Sequence, residues 1–257
     1  MSGPHPAPVA LSIAGSDSSG GAGIQADLRT FAALGVHGAT VLTAVTAQNA
    51  AGVRAIHVVP AEIVAAQLEA VFDGLAVRAV KLGMLAEAAI VDVVADGLGR
   101  QRPAFVVLDP VMLATSGARL LSDDGIAALR SRLLPLVDCL TPNLAEAAML
   151  LGTTLASDEA AMAAQGRALL ALGPRAVLIK GGHAPLPEAT DLLVTHEGVQ
   201  RFASPWVASR DLRGTGCRLS AAVAAAVAQG ASLADAVARA KAYLTAAIGG
   251  AGAQPGR

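Results

Sequence analysis

Short apolar runs alternate along this chain with longer stretches whose apolar positions recur at helical spacing. The runs at 9–14, 39–46, 77–82, 105–108, 138–141 and 176–179 are predominantly apolar, and each leads into glycine or polar residues. Runs of this length predict strands covered on both faces. Helical periodicity predicts helices over 24–34, 60–72, 87–98, 125–136, 146–151 and 217–229, with Pro60 at a first helical position. Ser157 is expected to cap a further helix, with Asp158 and Glu159 in its first turn. Ser232-Leu233-Ala234-Asp235 has the form of a capping box for a final helix to about 248. The segments 191–195 and 199–202 flank Glu197-Gly198 and predict an antiparallel hairpin. Strands alternating with helices imply an α/β fold, a mostly parallel sheet with helices on both faces. No linker, charge run or repeat divides the chain. A Pro-rich tail is expected over 1–8, one domain over 9–248 and a flexible tail over 249–257.

Composition narrows the function classes. Hydrophobic residues make up 54% and charged residues 15% of the 257 residues, which argues for a packed globule. The net charge of -1 gives no electrostatic case for nucleic acid or an anionic membrane. No apolar run reaches spanning length without Gly, Pro or charge, so no transmembrane helix is expected. Two cysteines, Cys139 and Cys217, do not make a disulfide framework. Reduced thiols and the absence of a signal-peptide pattern point to the cytoplasm. The five histidines show no zinc-ligand spacing.

The candidate chemistry falls near predicted strand ends: Asp17, Gln48, Met84, Asp109, Asn143 and Lys180. In open α/β sheets that edge is where ligands bind. The stretch Asp211-Leu212-Arg213-Gly214-Thr215-Gly216-Cys217-Arg218 opens an Ala-rich helix. Gly214 and Gly216 let the backbone approach a ligand, and the free N–H groups of the first turn favour an anion such as phosphate. Cys217 stands where a thiol ionises more easily, between Arg213 and Arg218. The plainer alternative is a glycine turn before a buried helix with a structural cysteine. Gly21-Ala22-Gly23-Ile24-Gln25-Ala26 fits a loose dinucleotide pattern, but Gln48 and Asn49 stand where an acidic residue is expected, and no Walker A lysine follows. Asp27 reads by default as a solvent-facing residue of a first helical turn. Asn143 and Glu146 are spaced either as a helix cap or as oxygen ligands for Mg²⁺. Lys180 either snorkels to solvent or meets phosphate. Cys139 reads as a buried structural thiol.

Taken together, the segments 13–27, 46–49, 81–85, 108–112, 140–147, 180–183 and 214–217 resemble the hydroxymethylpyrimidine/phosphomethylpyrimidine kinases of thiamine biosynthesis, within the ribokinase-like superfamily. Their order and spacing carry the likeness over nearly the whole chain. The resemblance implies a three-layer α/β/α sandwich with an antiparallel hairpin at one edge. It implies ATP and Mg²⁺ as cofactors, a small pyrimidine alcohol as substrate and, as the family suggests, a homodimer. The pyrimidine would lie near Gly15, Asp27, Gln48 and Met84. Asp109 and Glu146 would manage the metal, with Asn143, Lys180 and Thr215 toward the nucleotide. Gly214 and Gly216 would surround the transferred phosphoryl group, and Cys217 would take the proton from the attacking hydroxyl; Arg213, outside the family's pattern, reads from its place before the turn either as a further grip on that group or as a solvated loop residue. The chain departs from the family at Asp211-Leu212-Arg213, where a triplet such as Asn-Thr-His is usual, and at Arg218, where Thr is typical. The rival readings are a pyridoxal kinase, a weakened family member that senses the pyrimidine, and, more distantly, a dinucleotide-dependent oxidoreductase.

Overall fold

The computed structural model describes residues 7–49, 51–114, 117–182, 187–206 and 214–251. Their apolar strands assemble into one sheet. The strands are β1 (Val9–Asp17), β2 (His37–Asn49), β3 (Gly52–Val58), β4 (Val77–Leu82), β5 (Val106–Leu108), β6 (Cys139–Leu140), β7 (Ala176–Lys180), β8 (Ala189–Thr195) and β9 (Gly198–Ser204). Their spatial order is β3-β2-β1-β4-β5-β6-β7-β8-β9. The strands from β2 through β7 run parallel, while β3 at one edge and β8–β9 at the other are antiparallel. The expected hairpin is β8–β9 at one edge, and β3 adds an antiparallel strand at the other. The missed addition is β3, whose side chains are mostly exposed and so leave no apolar run.

Side chains alternate across the strands and give the sheet two unlike faces. Leu11, Ile13, Val80, Leu82 and Leu108 point to a Leu/Ile/Val core. It is closed by α2 (Ala61–Gly74), α3 (Ala88–Gln101), α5 (Leu144–Leu151) and α6 (Glu159–Leu170), introduced here with α1 (Gly23–Ala33) and α4 (Asp123–Ala128) in chain order. Ala10, Ala79, Val107 and Cys139 point the other way, to α1, α7 (Thr215–Ala228) and α8 (Leu233–Ala251). On that side the buried surface of α7 is mostly alanine, including Ala221, Ala222, Ala224, Ala225 and Ala226. Alanine has the highest helix propensity and the least bulk, so α7 forms readily and lies close against the strands.

Several boundaries differ from the sequence expectation for local reasons. The helix expected over 125–136 starts at Asp123, where Ser122 accepts from the Gly125 N–H, and then widens into a π turn, Leu129–Leu133, and a 3₁₀ turn, Leu134–Leu136. Pro135 cannot donate to a continuing α-helix. The cap of α6 is Asp158, accepting from the Ala161 N–H, and not Ser157. At the C-terminus α8 runs to Ala251, into the stretch expected as a tail. Among the described residues, no helix is long and apolar enough to cross a membrane.

Candidate active site

The C-terminal ends of the parallel strands open on a cavity of about 910 Å³. Its first wall is the loop between β1 and α1. Asp17 folds that loop around its own carboxylate. Oδ1 accepts from the Ser19 N–H (2.9 Å) and hydroxyl (2.8 Å), and Oδ2 accepts from the Ala22 N–H (2.9 Å). Gln25, one turn into α1, accepts from the Asp17 N–H at 2.9 Å and donates to the Ser16 hydroxyl at 2.7 Å. Gly23 has φ of 58°, and a Cβ there would stand 2.3 Å from the Gly15 carbonyl oxygen. The same wall brings Gly15 against Met84, whose sulfur would lie 3.2 Å from a Cβ at position 15. Gln48 reaches the cavity at a bulge in the β2–β3 pairing, and its Oε1 accepts from Thr46 at 3.2 Å.

The opposite wall is charged. Lys180 Nζ lies 2.5 Å from Asp109 Oδ1 and 3.8 Å from Glu146 Oε2. Burial works against the Lys180 charge, but Asp109 and Glu146 outweigh it and hold the ammonium above its usual value. Burial raises Glu146 to about 7, with Lys180 opposing and Asp109 adding to the rise. Asn143 and Glu146 form a complete capping box on α5. The cap and the charged cluster are thus one arrangement. Capping turns the Glu146 carboxylate back toward the strand ends, where Lys180 waits.

The helix start of α7 lies between the two walls. Gly214 has φ of 72°, and a Cβ there would meet the Gly21 carbonyl oxygen at 2.4 Å, so the two glycine loops touch through backbone. A Cβ at Gly216 would stand 3.0 Å from Lys180 Nζ and 3.5 Å from Asp109 Oδ2. The N–H end of α7 therefore faces a lysine with no side chain intervening. Free N–H groups of a helix start beside a cation are what favours an anion.

Gly15, Gln48, Met84, Asp109, Asn143, Glu146, Lys180, Gly214, Thr215, Gly216 and Cys217 all line this cavity. Arg213 lies outside the described residues. Two expectations are corrected. Asp27 neither faces solvent nor lines the cavity: it is fully buried, 2.9 Å from Lys81 and accepting from the Ser12 hydroxyl at 2.6 Å. The first turn of α1 packs onto the sheet at that point, which turns the carboxyl inward. Cys217 is not acidified overall. Burial pushes its thiol up to about 11, and Lys81, not an arginine, is the main opposing charge.

Sequence reasoning did not single out Lys81, a buried cation at the cavity floor. Its signal was a lone lysine among the buried residues at the end of β4. It also passed over a second ion pair in the wall, Lys241 Nζ to Asp191 Oδ2 at 2.7 Å, where Asp191 Oδ1 accepts from the Gly181 N–H at 3.1 Å. These two residues come from α8 and β8, and no local pattern links them.

A three-layer fold of this strand order, with a glycine-rich helix start facing a lysine–carboxylate cluster, defines a phosphotransferase of the ribokinase-like class. Comparison with known proteins gives the same class. The model of the family described as phosphomethylpyrimidine kinase matches residues 17–257. A hydroxymethylpyrimidine/phosphomethylpyrimidine kinase of Rhizobium meliloti (strain 1021) is 55% identical over 95% of this chain and 91% of that protein. A crystal structure of phosphomethylpyrimidine kinase from Clostridium difficile 630 superposes with a TM-score of 0.84 at 41% identity, covering 93% of this chain and 99% of that one. A pyridoxal kinase of Bacillus subtilis, solved with ADP, superposes with a TM-score of 0.88 at 37% identity, over 95% of this chain and 92% of that one. The chain belongs to the phosphomethylpyrimidine kinase family.

Proposed function

We propose that this chain transfers the γ-phosphoryl group of ATP to the hydroxymethyl oxygen of 4-amino-5-hydroxymethyl-2-methylpyrimidine, and then to the monophosphate so formed, as a kinase of thiamine biosynthesis. The observation that carries the reading is the meeting of the Gly214–Cys217 turn, the Lys180–Asp109 pair and the Gly15–Met84 wall in one cavity of a chain of this family. Gln48 suits an aminopyrimidine edge, since its amide both donates and accepts. Met84 and Gly15 give the ring a close, adaptable apolar wall. Lys180 and the N–H groups of Thr215, Gly216 and Cys217 hold the phosphoryl oxygens, and charge neutralisation there supplies most of the catalysis. The Cys217 thiolate accepts the hydroxyl proton while the oxygen–phosphorus bond forms and the bond to the ADP bridging oxygen breaks.

Among the described residues, no group of three or more His, Cys, Asp or Glu side chains could hold a metal. Mg²⁺ fits nonetheless as a companion of ATP, because it keeps several waters and takes phosphate oxygens beside one or two carboxylates. Asp109 and Glu146 are those carboxylates, both on the charged wall of the cavity beside Lys180. When bound, Mg²⁺ neutralises charge on the transferring phosphoryl group.

The structural likeness to pyridoxal kinase makes pyridoxal the competing substrate to test. Purified protein with ATP and Mg²⁺ is assayed on the pyrimidine alcohol, its monophosphate and pyridoxal. The expected result is a kcat/KM for the pyrimidine alcohol roughly 10²-fold or more above that for pyridoxal, because a site built to bond a group rejects analogues lacking it. Higher kcat/KM with pyridoxal would overturn the assignment.

A further inference from the structure

Lys81 is a fully buried lysine that the proposed chemistry leaves without a task. The register explains its place. Ser12 on β1 is the Cα partner of Lys81 on β4, and Lys81 is the partner of Val107, two residues before Asp109. All of these positions fall on the face covered by α1 and α7. Asp27 descends from α1 to meet Lys81 at 2.9 Å, and Ser12 donates to the same carboxylate oxygen. The other oxygen, Asp27 Oδ1, has no hydrogen-bond partner among the described residues. A Cβ at Gly83 would stand 2.9 Å from Lys81 Nζ, so the strand end is kept bare beside the ammonium. A buried ion pair is weak evidence for stability, because desolvation offsets its attraction and apolar residues fill a core as well. A function of the charge is therefore the more economical account. The ammonium lines the cavity floor, as does Cys217.

We propose that Lys81 is a positioning residue that, fixed by Asp27 and Ser12 in the cavity it shares with Cys217, supplies the counter-charge for the Cys217 thiolate. The inference rests on the reading of Cys217 as proton acceptor. The charged groups that bear on Cys217 or on its partners are Lys81 from β4, Asp27 from α1, Asp109 after β5 and Lys180 from β7. Burial raises the thiol most; Lys81 is the first influence that lowers it, ahead of Asp109 and Asp27, which raise it, and the Gly23 N–H lowers it too. The reciprocal effect is present: Lys81 is disfavoured by burial, yet Asp27, then the Cys217 thiolate, then Asp109 hold it charged.

The test reads the thiol directly. Cys139, the other cysteine of the chain, is fully buried, so iodoacetamide on the native protein reports Cys217. Wild type, Lys81→Met and the double variant Lys81→Met/Asp27→Asn are alkylated at pH 8–9 without substrates. Both variants are expected to react about tenfold more slowly or worse, the effect of losing an adjacent opposite charge. Their kcat/KM for the pyrimidine alcohol should fall in parallel, with the KM for ATP nearly unchanged. Where Lys81→Met alone fails to fold, the double variant, neutral at both positions, carries the test. A folded, cooperatively melting double variant that alkylates at the wild-type rate would overturn the inference while leaving the kinase reading intact. A wild-type protein that phosphorylates no pyrimidine alcohol would overturn the kinase reading, whatever the alkylation shows.

Discussion

With its thiol pushed up to about 11, Cys217 carries thiolate in about one molecule in 10⁴ at pH 7. As the proposed base it is strong but scarce, so kcat/KM for the pyrimidine alcohol should climb about tenfold per pH unit from pH 6 to 9. A flat profile over that range would assign the proton to another acceptor. Cys217→Ala should lower kcat by roughly 10²–10⁴-fold while calorimetric binding of the pyrimidine stays within a few-fold of wild type. Cys139 gives a prediction about stability. Its thiol is raised from 9.0 to about 12 by burial, with Asp138 adding to the rise. The folded state thus holds this proton more tightly than the unfolded chain. That contribution is complete below pH 9 and is lost as pH rises toward 12. At pH 10.5 the loss is about 2 kcal/mol relative to pH 8. Urea unfolding of Cys139→Val should show a shallower alkaline decline than wild type; an identical decline would place the titration elsewhere. At this scale the sequence placed the polar groups of the cavity better than their environments. Gln48, Asp109 and Lys180 were legible as polar residues around strand ends. Asp27 was not, because whether a first-turn carboxyl faces water or the sheet depends on how the helix docks, and Lys81 has meaning only through Asp27.

Among the elements, the loops are held more tightly than their glycine content suggests. The Asp17 carboxylate and the Gln25 amide fix the first loop, and Gly214 presses its backbone on Gly21. Gly214→Ala would combine a left-handed backbone at φ of 72° with a 2.4 Å clash against a carbonyl oxygen. Strain of that kind costs about 1–3 kcal/mol, and relief requires the two loops to part. The expected outcome is a lower melting temperature together with a kcat reduced at least about tenfold. Wild-type turnover in this variant would mean that the contact between the loops is incidental. The helices and buried strands were readable because apolar periodicity survives without knowledge of neighbours. The edge strand β3 was not, since its exposed side chains carry no such record. Nor was the π turn after α4, which answers to packing and to Pro135 and leaves the helical period of the sequence intact.

In the whole molecule, the sheet separates two kinds of interior: a Leu/Ile/Val side under α2, α3, α5 and α6, and an alanine side under α7. Leu98→Ala, at the end of α3 away from the cavity, should cost about 2–5 kcal/mol in denaturant unfolding and leave kcat within twofold. Ala222→Leu should cost only about 1–3 kcal/mol, yet it wedges α7 off the strands and should lower kcat by tenfold or more. Equal effects of the two variants on turnover would argue against this separation. The thin alanine seam works as a spacer of fixed gauge: it sets the depth to which the N-terminal end of α7 reaches over Lys180. Two practical tasks then come apart. Thermal hardening can be pursued by refilling the aliphatic side, with the reaction geometry left alone. A change of catalytic pace is to be sought in single methyl groups along α7, at positions where a conventional search for larger, better-packed cores would look first and do harm.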